Sequence, residues 1–219
     1  MFMRNSWSIK AKTQEESHII MRKTYLCNNN TINPTNMKKI LFIIGSLRKQ
    51  SFNRELCVMV KGMLQGKAEV TELDYSQVPF INQDEEYPAP QAVADARKAV
   101  AEADGVWIFS PEYNYSYPGH VKNLIDWLSR PVDPADRNAP TVLAGKKFTL
   151  TGAGGKAATA GCRKLLTTLL TVLKADVMTE GQTGIALNLE AWTEGRMILT
   201  EEQKAQLAKQ AELFLEFIK

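Results

Sequence analysis

The chain has 219 residues, 44% hydrophobic, 23% charged and 8% aromatic, with 13 glycines and 9 prolines. That is enough apolar material for a sizeable core, and the balance excludes collagen, coiled-coil and wholly disordered classes. The formal charge of +3 comes from the first 36 residues, where Arg4, Lys10, Lys12, Arg22 and Lys23 face only Glu15 and Glu16; totals of 27 cations and 24 anions leave 22 of each from Met37 onward, so no basic field remains there for nucleic acid.

Residues 1–36 show no sustained apolar period and close on an Asn run with Pro34. They read as a poorly ordered extension. Their best apolar run, Ile19-Ile20-Met21, falls short of the roughly 7–15 residues of a secretory signal, and no membrane-spanning run follows anywhere. Two readings of the segment stay open: sequence upstream of a natural start at Met37-Lys38-Lys39, or a basic docking arm. The three cysteines, Cys27, Cys57 and Cys162, are odd in number and lack CxxC spacing, which supports neither a disulfide framework nor a zinc site. A reducing cytoplasm is the expected compartment.

From Lys39 short apolar runs alternate with helical periods. Lys39 to Ile44, closed by Gly45, is a continuous apolar run that predicts a parallel strand buried on both faces. Leu56, Val60, Met63 and Leu64 recur at helical spacing, Val70 to Leu73 form a short second strand, and Asp95 to Ala103 an Ala-rich helix. Gly105 to Phe109 is a third strand. Val121, Leu124, Ile125 and Leu128 predict a helix from about Gly119 to Arg130. Lys147 to Thr151 is a fourth strand, Cys162 to Leu173 a largely buried helix, and Glu201 to Ile218 a last helix with Leu207, Ala211, Phe214, Leu215 and Ile218 on one side. This alternation predicts an α/β single domain over residues 37–219, a doubly wound parallel sheet with helices on both faces. Ligands of such sheets bind beyond the carboxyl ends of the strands, which directs attention to the loops opening at Gly45, Ser110 and Thr151.

The first loop, GSLRKQSFN from Gly45, offers Ser46, Ser51, Asn53 and Arg48 just ahead of a helix N-terminus, a setting suited to a phosphate. It has one glycine and no GK[ST], so it is neither a dinucleotide fingerprint nor a Walker loop. The alternative is a plain Ser/Asn cap beside a solvated arginine. The second loop, SPEYNYSYPG from Ser110, is rigid and aromatic; a flat ring could stack there, or its tyrosines could simply pack on neighbours. The third, TGAGGK from Thr151, has glycines that let a backbone come close to a ligand. Three such loops after three strands of one sheet converge on one edge.

These residues resemble the NADPH-dependent FMN reductases, flavodoxin-like enzymes that include quinone, azo-dye and chromate reductases. The likeness is carried by GSLRKQSFNREL at residues 45–56, PEYNYSYPGHVKNLIDWLSR at 111–130 and TGAGG at 151–155, and it covers roughly Lys38 to Lys219. The resemblance implies a flavodoxin-like fold and noncovalent FMN, with Ser46, Arg48, Ser51, Phe52 and Asn53 around its phosphate. It implies Pro111, Glu112, Tyr113 and Asn114 along the isoalloxazine ring, largely through backbone groups, Ser116 nearby, and Gly152, Gly154 and Gly155 on the opposite side. No catalytic side chain and no metal are implied. NADPH or NADH would reduce the flavin, and a small-molecule acceptor such as a quinone or azo compound would reoxidise it in a ping-pong cycle. A homodimer or homotetramer, with no nucleic-acid or membrane partner, is the implied assembly. The competing class is a flavodoxin-type electron carrier without substrate turnover.

Elsewhere the readings are plainer. His120 departs from the apolar residue the family more often carries there. With His18 its only companion, no Ser-His-Asp arrangement can form. Cys57 and Cys162 read as small core residues and Trp107 as core. Trp127 reads as either a subunit contact or surface packing, and Asp84 to Pro88 as a solvated loop.

Overall fold

Strand β1, Lys38–Ile44, divides its side chains between two cores: Ile40, Phe42 and Ile44 enter one, Leu41 and Ile43 the other. A strand buried on both faces belongs inside a parallel sheet, and β1 is flanked in parallel by β2 (Ala68–Glu72) and β3 (Gly105–Phe109). The computed structural model describes residues 37–131, 133 and 135–219; the reading of residues 1–36 as a poorly ordered extension lies outside these. Beyond β3 come β4 (Lys147–Gly154), then β5 (Asp176–Val177) and β6 (Thr183–Ala186), both on β4. The order β2-β1-β3-β4-β5 is the flavodoxin-like doubly wound arrangement, in which the connections reverse direction at β1 and open a crevice between the ends of β1 and β3.

Because every pairing is parallel, each connection except the short one from β5 to β6 must cross a face. Helices α1 (Phe52–Met63) and α6 (Glu201–Phe217) cover one face, with the short α5 (Leu189–Glu194) beside them. Helices α2 (Gln91–Glu102), α3 (Gly119–Leu128) and α4 (Ala160–Val172) cover the other. Their apolar positions explain the choice: Phe52, Leu56 and Val60 recur every fourth residue on α1, and Val121, Leu124, Ile125 and Leu128 form the buried stripe of α3. Local chemistry fixes the starts. Ser51 caps α1 by accepting the Asn53 N–H at 3.2 Å, and Thr200 with Gln203 makes a capping box for α6. Among the described residues no helix is long and apolar enough to cross a membrane.

Several details differ from the sequence reading. Strand β4 runs on to Gly154 instead of stopping at Thr151, because Thr151 to Gly154 pair with Thr183 to Ala186; the third loop therefore opens at Gly155. The outer strand on that side is broken between Val177 and Thr183, and a side chain bridges the break. Gln210 of α6, fully buried, donates from Nε2 to the Leu150 carbonyl at 3.0 Å and accepts the Thr183 N–H on Oε1 at 2.9 Å. Its carboxamide thus occupies the place of a missing peptide in the ladder, and it also engages Thr149 and Thr151, the latter accepting from Trp107 Nε1 at 2.8 Å. Trp127 is not at the surface: it is fully buried, with Nε1 donating to the Pro79 carbonyl at 2.8 Å. Nor is the Asp84 to Pro88 run wholly solvated, since Glu86 is buried against Arg130 in a two-point pair at 2.6 and 3.0 Å.

Candidate functional site

The loop after β1 leaves the sheet at Gly45, whose N–H is held by the Phe109 carbonyl at 2.7 Å. Ser46 and Ser51 are buried, and among the described residues neither hydroxyl proton has an acceptor. The N–H groups of Ser46, Leu47 and Arg48 likewise have no partner there. Arg48 is exposed and joins none of the ion pairs among the described residues; its guanidinium stands 5.7 Å from the centroid of the Phe52 ring. This is a set of donors and one cation with no carboxylate among them, directly before a helix N-terminus, so its chemistry fits a phosphate-sized anion. Phe52 and Asn53 contribute differently. The Phe52 side chain belongs to the core, and the Asn53 carboxamide is engaged at both ends with Ala153, donating to its carbonyl at 3.2 Å and accepting its N–H at 2.9 Å. Asn53 is therefore a clamp between the first loop and β4.

The loop after β3 is folded back on itself. Tyr113 and Ser116 exchange both backbone hydrogen bonds, at 2.9 and 3.0 Å, around Asn114 and Tyr115 with φ of 51° and 65°. Two left-handed central residues make the tight turn whose twist suits a hairpin; Asn favours the first position, while a tyrosine at the second is uncommon. Tyr113 and Tyr115 are exposed. Pro111 is buried, and Ser110 Oγ donates to the Pro111 carbonyl at 2.9 Å. Glu112 turns its side chain inward, where Oε2 accepts the Cys162 N–H at 2.7 Å. Helix α4 has no cap from its own Thr159, so the carboxylate of the second loop closes its first turn, where a negative charge is favoured.

At the third loop the glycines divide. A Cβ at Gly152 would stand 2.3 Å from the Ser110 carbonyl and 2.3 Å from Thr159 Oγ1, and one at Gly154 would meet Thr159 Cγ2 at 3.0 Å. Both lie in β4, where the missing Cβ lets the strand pass close to Ser110 and Thr159 of the chain's own next turn. Gly155 has open space around it. Thirteen positions were singled out from sequence, and the topology brings all three loops to the carboxyl edge of the sheet. The Asn53 and Glu112 contacts then tie the first loop to β4 and the second to α4.

Other groups nearby limit the chemistry. Cys162 is buried with Sγ 3.3 Å from Ser110 Oγ, and burial pushes its thiol up to about 11, so it is no thiolate near neutrality. Burial pushes the Cys57 thiol up to about 12. His120, in the first turn of α3, stacks on Tyr75 with centroids 5.9 Å apart. Its Nε2 is buried without a partner among the described residues, and burial holds the imidazole below its ordinary value, a Gly45 backbone contact opposing this. A cavity of about 1020 Å³ lined by Arg130, Arg137 and Lys174 lies at the amino-terminal side of the sheet, away from the three loops. The sequence reading missed Trp192 of α5, which packs edge-on against Phe52 with centroids 5.4 Å apart at 77°. Its signal was an N-cap residue, Asn188, ahead of Leu189, Ala191 and Trp192; Asn188 caps α5 by accepting the Ala191 N–H at 2.7 Å.

Residues 38–188 match the family model described as NADPH-dependent FMN reductase. A quinone reductase from Escherichia coli (strain K12) is 36% identical over 146 residues, 64% of this chain and 73% of that protein. A 2-hydroxy-1,4-benzoquinone reductase from Burkholderia sp is 37% identical over 93 residues, 42% of this chain, and the match spans about half, 51%, of that relative's length. Among solved structures, the FerB flavoenzyme NAD(P)H:(acceptor) oxidoreductase from Paracoccus denitrificans superposes with a TM-score of 0.72 at 28% identity, over 83% of this chain and 97% of that one.

Proposed function

This chain belongs to the NADPH-dependent FMN reductase family, and from that premise we propose that it is an FMN-containing oxidoreductase that takes electrons from NADPH or NADH and delivers them to a small planar acceptor of the quinone or azo type. The observation that carries this reading is the donor set of the first loop, where the Ser46 and Ser51 hydroxyls, three N–H groups and the Arg48 guanidinium have no carboxylate partner among the described residues. FMN held here would supply the two-electron chemistry that links a nicotinamide donor to the acceptor.

The chain's own part is to bind and orient. Ser46, Arg48 and Ser51 hold the phosphate, which favours FMN over FAD because no dinucleotide fingerprint accompanies the loop. The backbone of Pro111 to Asn114, stiffened by the Tyr113–Ser116 turn, would line the ring with Ser116 nearby, and Gly152, Gly154 and Gly155 would approach it from the third loop. Phe52 and Asn53 support the phosphate loop from beneath. Exposed Tyr113 and Tyr115 leave an accessible aromatic rim for a nicotinamide and then an acceptor. The balance of 22 cations and 22 anions from Met37 onward gives no acidic docking field of the kind an electron carrier would use. The reading extends to a cytoplasmic enzyme, consistent with Cys57 and Cys162 being free thiols, and to a homodimer or homotetramer.

Anaerobic addition of NADPH, or NADH, should bleach the bound flavin, a quinone should restore its colour, and initial-rate plots against the two substrates should be parallel lines. Failure of both nucleotides to reduce the flavin would favour the carrier.

A further inference from the structure

Helix α5 begins at Leu189, just past the residues that match the family model, yet it is docked on the first turn of α1 beside the first loop. Its attachment does not depend on Trp192. Ala191 is fully buried, Asn188 caps the helix, and the Met197 N–H that follows it donates to Glu55 Oε2 of α1 at 2.7 Å. Trp192 is 54% exposed, whereas Trp107 and Trp127 are fully buried; it is therefore not a core residue. What it does touch is Phe52, edge-on at 5.4 Å, and Phe52 in turn lies under the Arg48 guanidinium at 5.7 Å.

An exposed arginine on a loop has many rotamers, and a ring beneath it restricts them only if the ring itself is held. Phe52 sits at the first position of α1, packed on the core and in T-shaped contact with Trp192. We propose that Trp192 is a positioning residue for the phosphate loop: it fixes the Phe52 ring, which sets where the Arg48 guanidinium stands. The inference rests on the reading of that loop as the phosphate site, and it assigns to α5 a part in selecting a phosphorylated flavin over its dephosphorylated counterpart.

The test titrates the full chain, stripped of flavin, with FMN and with riboflavin. Trp192→Ala should raise the Kd for FMN about two- to fivefold, the scale of one exposed cation–ring contact, and leave that for riboflavin unchanged. Trp192→Phe, which keeps an aromatic edge, should restore FMN affinity. In an Arg48→Ala background Trp192→Ala should have no further effect on the ratio of the two affinities, a result that loss of general packing would not give. Equal weakening of both flavins, an unchanged Kd for FMN, or an undiminished effect in the Arg48→Ala background would each overturn the inference. Arg48→Ala alone reports on the underlying reading: if it leaves the FMN-to-riboflavin ratio unaltered, the loop does not take the phosphate. If it lowers the ratio while Trp192→Ala does not, that reading stands and only the role of Trp192 is lost.

Discussion

Asn53 and Glu112 sit in loops whose composition suits a ligand, and both side chains are turned toward the chain's own backbone. A sequence shows that a polar residue is present; the direction in which it points depends on which N–H or carbonyl the fold leaves orphaned nearby. Here the orphans are the Ala153 peptide and the first turn of α4, and satisfying them outweighs leaving two polar side chains in water. His120 is the reverse case, a titratable ring whose Nε2 is buried with no partner among the described residues. Its folded pKa lies below the ordinary 6.5, so on acidification the unfolded chain takes up the proton first. The stability His120 contributes is present above about pH 6.5 and lost as pH falls from there toward the folded value. Thermal melts between about pH 6.5 and 5, above the range where ordinary carboxylates titrate, should show the wild type losing stability more steeply than His120→Leu. Identical slopes would mean that the ring keeps its solution pKa in the fold.

At the scale of elements, the long periodic segments were legible and the short ones were not. Strands β1 and β3 announce themselves as continuous apolar runs, and helices α1, α3 and α6 because four or more apolar positions recur at helical spacing. Strands β5 and β6 have two and four residues, too few for any period, and what joins them is a side chain from another element. One clue was present: Gln210 stands three residues after Leu207 and four before Phe214, inside the apolar stripe of α6, where a polar residue needs a partner. Replacing it by leucine keeps the volume and strands the Leu150 carbonyl and the Thr183 N–H. Two buried backbone groups without partners cost roughly 2–5 kcal/mol, so Gln210→Leu should lower the urea midpoint accordingly. A shift within a few tenths of a kcal/mol would mean that β5 and β6 close the gap by themselves. The close approach of Thr159 to Gly152 was hidden for a related reason, since a glycine looks the same in sequence whatever stands against its bare face, and only the path of the turn after β4 brings Thr159 there.

For the whole molecule, the two cores on either side of the sheet are built, among the described residues, from Ile40 to Ile218. Residues 1–36 supply the net charge of +3 and no periodic apolar face. We therefore expect a chain beginning at Met37 to keep both its flavin and its melting temperature; loss of either in a flavin titration or a thermal melt would give the extension a packing role. The convergence of the three loops was legible because parallel pairing forces every strand end with a ligand-suited loop onto one edge. The clamps that hold those loops together were not, since they join residues such as Asn53 and Ala153 that lie far apart in the chain.

The broken outer strand has a consequence for how copies of this chain can meet. A sheet with a long, flat free rim invites another chain to add a strand to it. Here one rim is divided into pieces of two and four residues, and the other, β2, presents exposed Glu69, Thr71 and Glu72 on a strand of five. Among the described residues neither rim is a long, flat, apolar template, so strand addition from another copy is disfavoured, and an unfolding copy finds a poor edge on its folded neighbours to recruit.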